Sequence, residues 1–284
     1  MWHTGETLWV GFLLLSSCFS SAQQVIDTES WEVPFRLYNG FVVVLRGSIG
    51  ELQDCNLVID TGTNPTLVDE RIVRKLHVTL SNARLAVASG DVRSQRALIS
   101  RIEMGPIVKQ QVFTAVKDLS AVSKDIGVRI DALVGLDVLG NSNLRINYER
   151  KVLAFSDTIT DSPNTADFER GPPLVVLSMT MNRKLMRVVF DTGSFGLVLF
   201  ENKVGKDLPG LLEPVGSFHG VGGEMDMRRI EVDDASVGNS RLQARHAFVA
   251  KGPRQAPVDG LLGPSGLGAR EISLDFKHGQ FAWQ

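Results

Sequence analysis

The chain carries the tripeptide Asp-Thr-Gly twice. Leu57-Val58-Ile59 runs into Asp60-Thr61-Gly62-Thr63, and Val188-Val189-Phe190 runs into Asp191-Thr192-Gly193-Ser194. One copy alone is a weak signal, a strand ending in a polar turn. Two copies 131 residues apart, each behind three apolar residues, ask for a joint role. Paired carboxylates can share one proton. The ionised partner takes a proton from a water, while the protonated one hydrogen-bonds the group under attack. Like charges about 3 Å apart cannot both ionise, so such a pair titrates as a unit with its two pKa values pushed apart. The neighbours have physical roles to match. Gly62 and Gly193 let the backbone come close to the carboxylates. Thr61 and Thr192 can cross-bond between the two halves. Thr63 and Ser194 can donate hydroxyl hydrogen bonds to the carboxylates, which favours ionisation.

Two further landmarks repeat. Ile130-Asp131-Ala132-Leu133-Val134-Gly135 parallels Val258-Asp259-Gly260-Leu261-Leu262-Gly263 at an offset of 128 residues. Leu144-Arg145-Ile146-Asn147-Tyr148 parallels Ile272-Ser273-Leu274-Asp275-Phe276 at the same offset. A fixed internal period is the mark of a duplicated unit. The polar stretch Ser156–Pro173, with Pro163, Pro172 and Pro173, reads as a linker. The expected organisation is a leader at 1–22, an N-terminal lobe at 23–160 and a C-terminal lobe at 161–284. Strands are expected at Phe41–Leu45 and Leu174–Leu177, each followed by a polar turn, Gly47–Gly50 and Asn182-Arg183. The spacing of Leu67, Ile72 and Leu76 predicts a helix over Leu67–Leu76, and a short helix is expected within Leu133–Leu139. Gly263-Pro264-Ser265-Gly266 reads as a turn. The fold class is mostly β with a few short helices.

These motifs resemble those of the pepsin/retropepsin superfamily of aspartic peptidases. The matching residues are Ile59–Thr63 with Phe190–Ser194, and Leu133-Val134-Gly135 with Leu261-Leu262-Gly263. The resemblance covers Pro34–Phe155 and Pro172–Trp283. It implies two similar retropepsin-like β-barrel lobes in tandem, with Asp60 and Asp191 as the catalytic pair. The halves are short, as in retroviral enzymes, and fused, as in pepsin; the chain looks like a single-chain, retropepsin-like bacterial enzyme. One chain supplies both carboxylates, so catalysis requires no homodimer. Retroviral enzymes carry Ala after the Gly, whereas Thr63 and Ser194 follow the pepsin pattern and predict a more acidic optimum. The resemblance also implies a flap over the substrate. Its tip would fall at Gly220-Val221-Gly222 in the second half and near Ser89-Gly90 in the first. The only tyrosines are Tyr38 and Tyr148, so a pepsin-type flap tyrosine is missing.

Other signals bound the reading. With 43% hydrophobic and 22% charged residues the chain can build a core. Its net charge of −2, with both signs scattered, gives no basic stripe for nucleic acid. Leu8–Phe19 followed by Ser20-Ser21-Ala22 reads as a secretory signal, so a periplasmic or secreted protein is expected. The alternative is a lipobox at Leu15–Cys18, with Cys18 lipidated as a membrane anchor. Removal of the leader leaves Cys55 alone, a strand residue without a disulfide partner. The five histidines have no metal-ligand spacing, so no metal and no cofactor are expected. The leading functional expectation is an endopeptidase acting on polypeptides. The alternatives are an exported peptide-binding protein with little or no turnover, and a processing peptidase with one client.

Overall fold

The computed structural model describes residues 31–87, 90–140, 142–155, 162–169, 174–204, 213–253 and 256–284. The leader, Cys18 and Ser89 lie outside the described residues. The described chain is mostly β, with five short helices. Its strands form an eight-stranded, a nine-stranded and a six-stranded sheet.

The eight-stranded sheet belongs to the first half. At its centre Leu52–Ile59 runs parallel to Ala132–Val134, which pairs antiparallel with Leu67–Asp69. The nine-stranded sheet repeats this arrangement: Lys184–Phe190 runs parallel to Gly260–Leu262, which pairs antiparallel with Leu197–Phe200. The last three residues of each central strand, Leu57–Ile59 and Val188–Phe190, are buried on both faces, which explains their unbroken apolar runs. The first sheet curls back on itself through Ser48↔Glu103 and Ile49↔Ile102. The second stays open between its edge strands Glu213–Gly220 and Ser240–Arg241. Among the described residues the second sheet does not close into a barrel.

The six-stranded sheet joins the halves. Its inner pair is Leu144–Asn147 against Glu271–Asp275, with Leu144↔Leu274 and Ile146↔Ile272 directly opposite. These strands are the two copies of the third repeated landmark. They meet antiparallel about a local two-fold axis, as identical edges do in a symmetric dimer. Ile146, Ile272 and Phe281 of this sheet are fully buried, as is Phe190 packed on Phe281, and one apolar cluster runs continuously through both halves.

Several local expectations need correction. Leu67–Asp69 is a strand rather than a first helical turn, because Leu67 and Val68 pair in parallel with Ala115 and Val116. The helix is Glu70–Lys75, capped by the Asp69 carboxylate, which accepts from the Arg71 N–H. In the Leu133–Leu139 stretch the helix is Leu136–Leu139, after the strand Ala132–Val134. Phe41 lies in the hairpin turn, so the strand is Val42–Ile49. That strand runs through Gly47 with a bulge and turns only at Gly50-Glu51. The second-half strand is Val176–Met181, and Asn182 and Arg183 take positive φ in the tight turn after it. Pro264–Leu267 forms one helical turn with Pro264 at its start, a position where proline loses no hydrogen bond. Within the linker, Asn164–Asp167 adds a strand against Gln280–Trp283.

The shared sheet makes each half a support for the other. Ile146→Ala is expected to cost about 2–5 kcal/mol. In urea denaturation it should lower the midpoint of one transition that reports both halves.

Candidate active site

Asp60 and Asp191 lie at the ends of the two central strands, where each strand leaves its sheet. Their backbone N–H groups donate to Val134 O and Leu262 O, each at 3.0 Å. The strand bearing each carboxylate is thus pinned by the apolar-apolar-Gly segment of its own half. A side chain at Gly135 would strike Thr63 O, and one at Gly263 would strike Ser194 O. These glycines are needed for close packing behind the Asp-Thr-Gly loops. An aspartate repeats on the far side, Asp131 buried and Asp259 half-buried: Asp131 accepts from the Asn56 N–H and Asp259 from the Arg187 N–H, both at 2.8 Å. Sequence reasoning missed this pair, although both aspartates stand at the same place in the repeated landmark.

The two loops meet through Thr61 and Thr192, both fully buried. The Thr61 hydroxyl donates to Phe190 O at 2.9 Å and accepts from the Thr192 N–H at 3.1 Å. The Thr192 hydroxyl donates to Ile59 O at 2.7 Å and accepts from the Thr61 N–H at 3.0 Å. Each hydroxyl therefore uses its donor and an acceptor position across the seam. The expected cross-bond is present in both directions.

This ring brings Asp60 and Asp191 into mutual hydrogen bonding. Asp60 accepts from the Gly62 N–H at 3.0 Å, and Asp191 from the Gly193 N–H at 2.7 Å. Burial, together with the Asp191 charge, pushes Asp60 well above the usual carboxylate range. Burial also raises Asp191, but the N–H groups of Gly193 and Ser194 and the Asp60 proton offset it. Both carboxyls are raised, Asp60 the further, and the pair titrates as a unit. A side chain at Gly62 would occupy the place of the Asp191 carboxyl, and one at Gly193 would crowd Asp60. That is the close approach expected of these two glycines.

The expectation for Thr63 and Ser194 is not met. The Thr63 hydroxyl turns to Pro65 O at 3.5 Å, and Ser194 contributes its backbone N–H instead of its hydroxyl. The hydroxyl argument for an acidic optimum thus loses its donors. Cys55 is buried in the strand Leu52–Ile59, where burial pushes its thiol up and away from nucleophilic chemistry.

Of the flap residues, Gly220 pairs with Gly223 at the end of a hairpin made by Glu213–Gly220 and Gly223–Glu231, with Val221-Gly222 as its turn. Val221 crosses to the first lobe and packs on the cluster that contains Leu67, Leu85 and Leu133. In the first half Gly90 begins the strand Gly90–Met104 and pairs with Val87. Among the described residues no cluster of His, Cys, Asp and Glu could hold a metal ion.

A protein-family model described as aspartyl protease matches residues 44–138 and 177–265. Each matched stretch holds one Asp-Thr-Gly and one apolar-apolar-Gly segment, and together they cover more than half of the chain. The chain belongs to the aspartyl protease family, as a two-lobed, retropepsin-like member. No curated protein matches it.

The buried ring and the dyad make separable predictions. Thr61→Val leaves the Thr192 N–H without its acceptor, at about 1–3 kcal/mol for the orphaned group; thermal denaturation should show the loss. A raised carboxylate pKa acts oppositely on stability. Between the ordinary value of about 3.9 and the raised one, the folded state holds more protons than the unfolded, so stability falls as pH rises. Asp60→Asn removes that penalty. Its unfolding temperature should exceed wild type at pH 7, with the gain vanishing toward pH 3.

Proposed function

We propose that the protein is an endopeptidase that cleaves polypeptides with a water held between Asp60 and Asp191. The observation that carries this reading is geometric: the Thr61–Thr192 ring locks the two Asp-Thr-Gly loops so closely that a side chain at Gly62 would overlap the Asp191 carboxyl. Asp191 takes a proton from the water as its oxygen bonds to the scissile carbonyl carbon. Asp60 hydrogen-bonds the carbonyl oxygen and stabilises the charge that develops there. The tetrahedral intermediate then expels the amine, which takes the proton held by Asp191, and the C–N bond breaks. No covalent enzyme intermediate is needed. The hairpin ending at Val221-Gly222 is the cover over this step, since its tip already rests on the opposite lobe. Excluding water there strengthens the interaction between the carboxylates and the substrate.

The working form needs one proton on the pair, so kcat/KM should follow a bell. The rising limb is ionisation of Asp191 and the falling limb is loss of the Asp60 proton. Both groups are raised, so both limbs should lie above the ordinary aspartate range. Cleavage of an unstructured protein, followed across pH 3–9, tests the reading. Asp60→Asn and Asp191→Asn should each lower the rate by about 10²–10⁴-fold. Unchanged cleavage in either variant would overturn the assignment. Binding without cleavage by the wild type would leave a peptide-binding protein instead.

A further inference from the structure

We propose that Phe41 and Phe195 form an aromatic subsite that takes a bulky apolar side chain of the bound polypeptide. The proposal rests on the peptide-cleaving reading above and names a specificity element for it.

Phe195 stands four residues after Asp191, on the same loop. Its backbone is held on both sides. The Ser265 hydroxyl donates to Phe195 O, and the Gly263 N–H donates to Gly196 O at 2.7 Å. The loop is therefore rigid, yet the ring it carries is 52% exposed. That ring has an aromatic partner. It meets Phe41 of the opposite lobe edge to face, with centroids 5.5 Å apart and planes at 68°. Phe41 is itself seated: it is half-buried against the first-lobe cluster on which Val221 also packs. A ring anchored beside one carboxylate and touching the other lobe spans the seam that holds the dyad. The exposed face of Phe195 is apolar surface offered to whatever lies in that seam.

The bland alternative is a strut that only ties the lobes together. A strut would bury both rings, since a half-exposed aromatic ring forfeits much of its burial energy. Exposure at a clamped position fits a ligand-facing surface better. The first half also lacks this device. The residue four places after Asp60 is Asn64, an exposed amide. The duplicated loop is thus aromatic on one side of the dyad and polar on the other.

The test is a peptide library randomised on both sides of one cleavable bond. It is digested by wild type, Phe195→Asn and Phe195→Leu. Wild type should enrich Phe, Tyr, Leu and Met at one substrate position. Phe195→Asn should cut that enrichment about tenfold while the other positions keep their profile. Phe195→Leu should restore it for aliphatic side chains, and neither change should lower the melting temperature. An unaltered profile in Phe195→Asn overturns the proposal. So does a uniform loss of rate with a lower melting temperature, which is the signature of a strut. Peptide capture by Asp191→Asn, with and without Phe195→Asn, separates the two readings. If wild type cuts nothing but captured peptides lose their apolar bias with Phe195→Asn, cleavage falls and the subsite stands. Captured peptides without a bias, or no capture at all, overturn the subsite whether or not wild type cleaves.

Discussion

Two buried hydroxyls hold the molecule's chemistry in place. Thr61 and Thr192 each donate across the seam to the carbonyl of the residue just before the other half's aspartate, and each accepts the other's N–H. Both side chains are sealed from water, so no solvent can stand in for a lost partner. The ring fixes the distance between the two loops. Without it, two buried carboxyls would move apart to relieve their repulsion. With it, they settle the conflict by sharing a proton.

The rest of the fold keeps that ring in register. The apolar-apolar-Gly segments lie directly behind the loops and accept the aspartates' backbone N–H groups. The six-stranded sheet clamps the two halves at a distance from the dyad. Its central pairing is self-complementary, so the same five-residue segment serves both sides. The bridging aspartates Asp131 and Asp259 repeat the economy: one side chain in each half, bonded to the same backbone position of the strand next to it. The repeat thus reaches from sequence into individual hydrogen bonds.

What the sequence disclosed was whatever the duplication wrote twice. The dyad, its threonines and its close-packed glycines stood in matched places, and their roles followed from residue type. The hydroxyls of Thr63 and Ser194 also stood in matched places, but which way a hydroxyl turns depends on the local loop. Pro65 O captures one, and a backbone N–H serves instead of the other. Leu67–Asp69 was illegible as a strand because its partner, Ala115–Lys117, is nearly fifty residues away, and helical spacing was the only local clue. The strand in Asn164–Asp167 is hidden for the same reason: a polar, proline-flanked stretch pairs with the far end of the chain. The reach of Val221 onto the other lobe is likewise a long-range fact.

Asp60 and Asp191 do not stand in identical surroundings: burial raises both, and Asp60 the further. A dimer of identical chains presents two equivalent carboxyls, and a bound peptide can lie either way round with equal energy. Here the carboxyls are inequivalent before any substrate arrives. Under the proposed mechanism the head and tail of a peptide meet different carboxyls, so its two orientations differ in energy. Two unlike halves in one chain thus give the seam a polarity that a symmetric pair lacks.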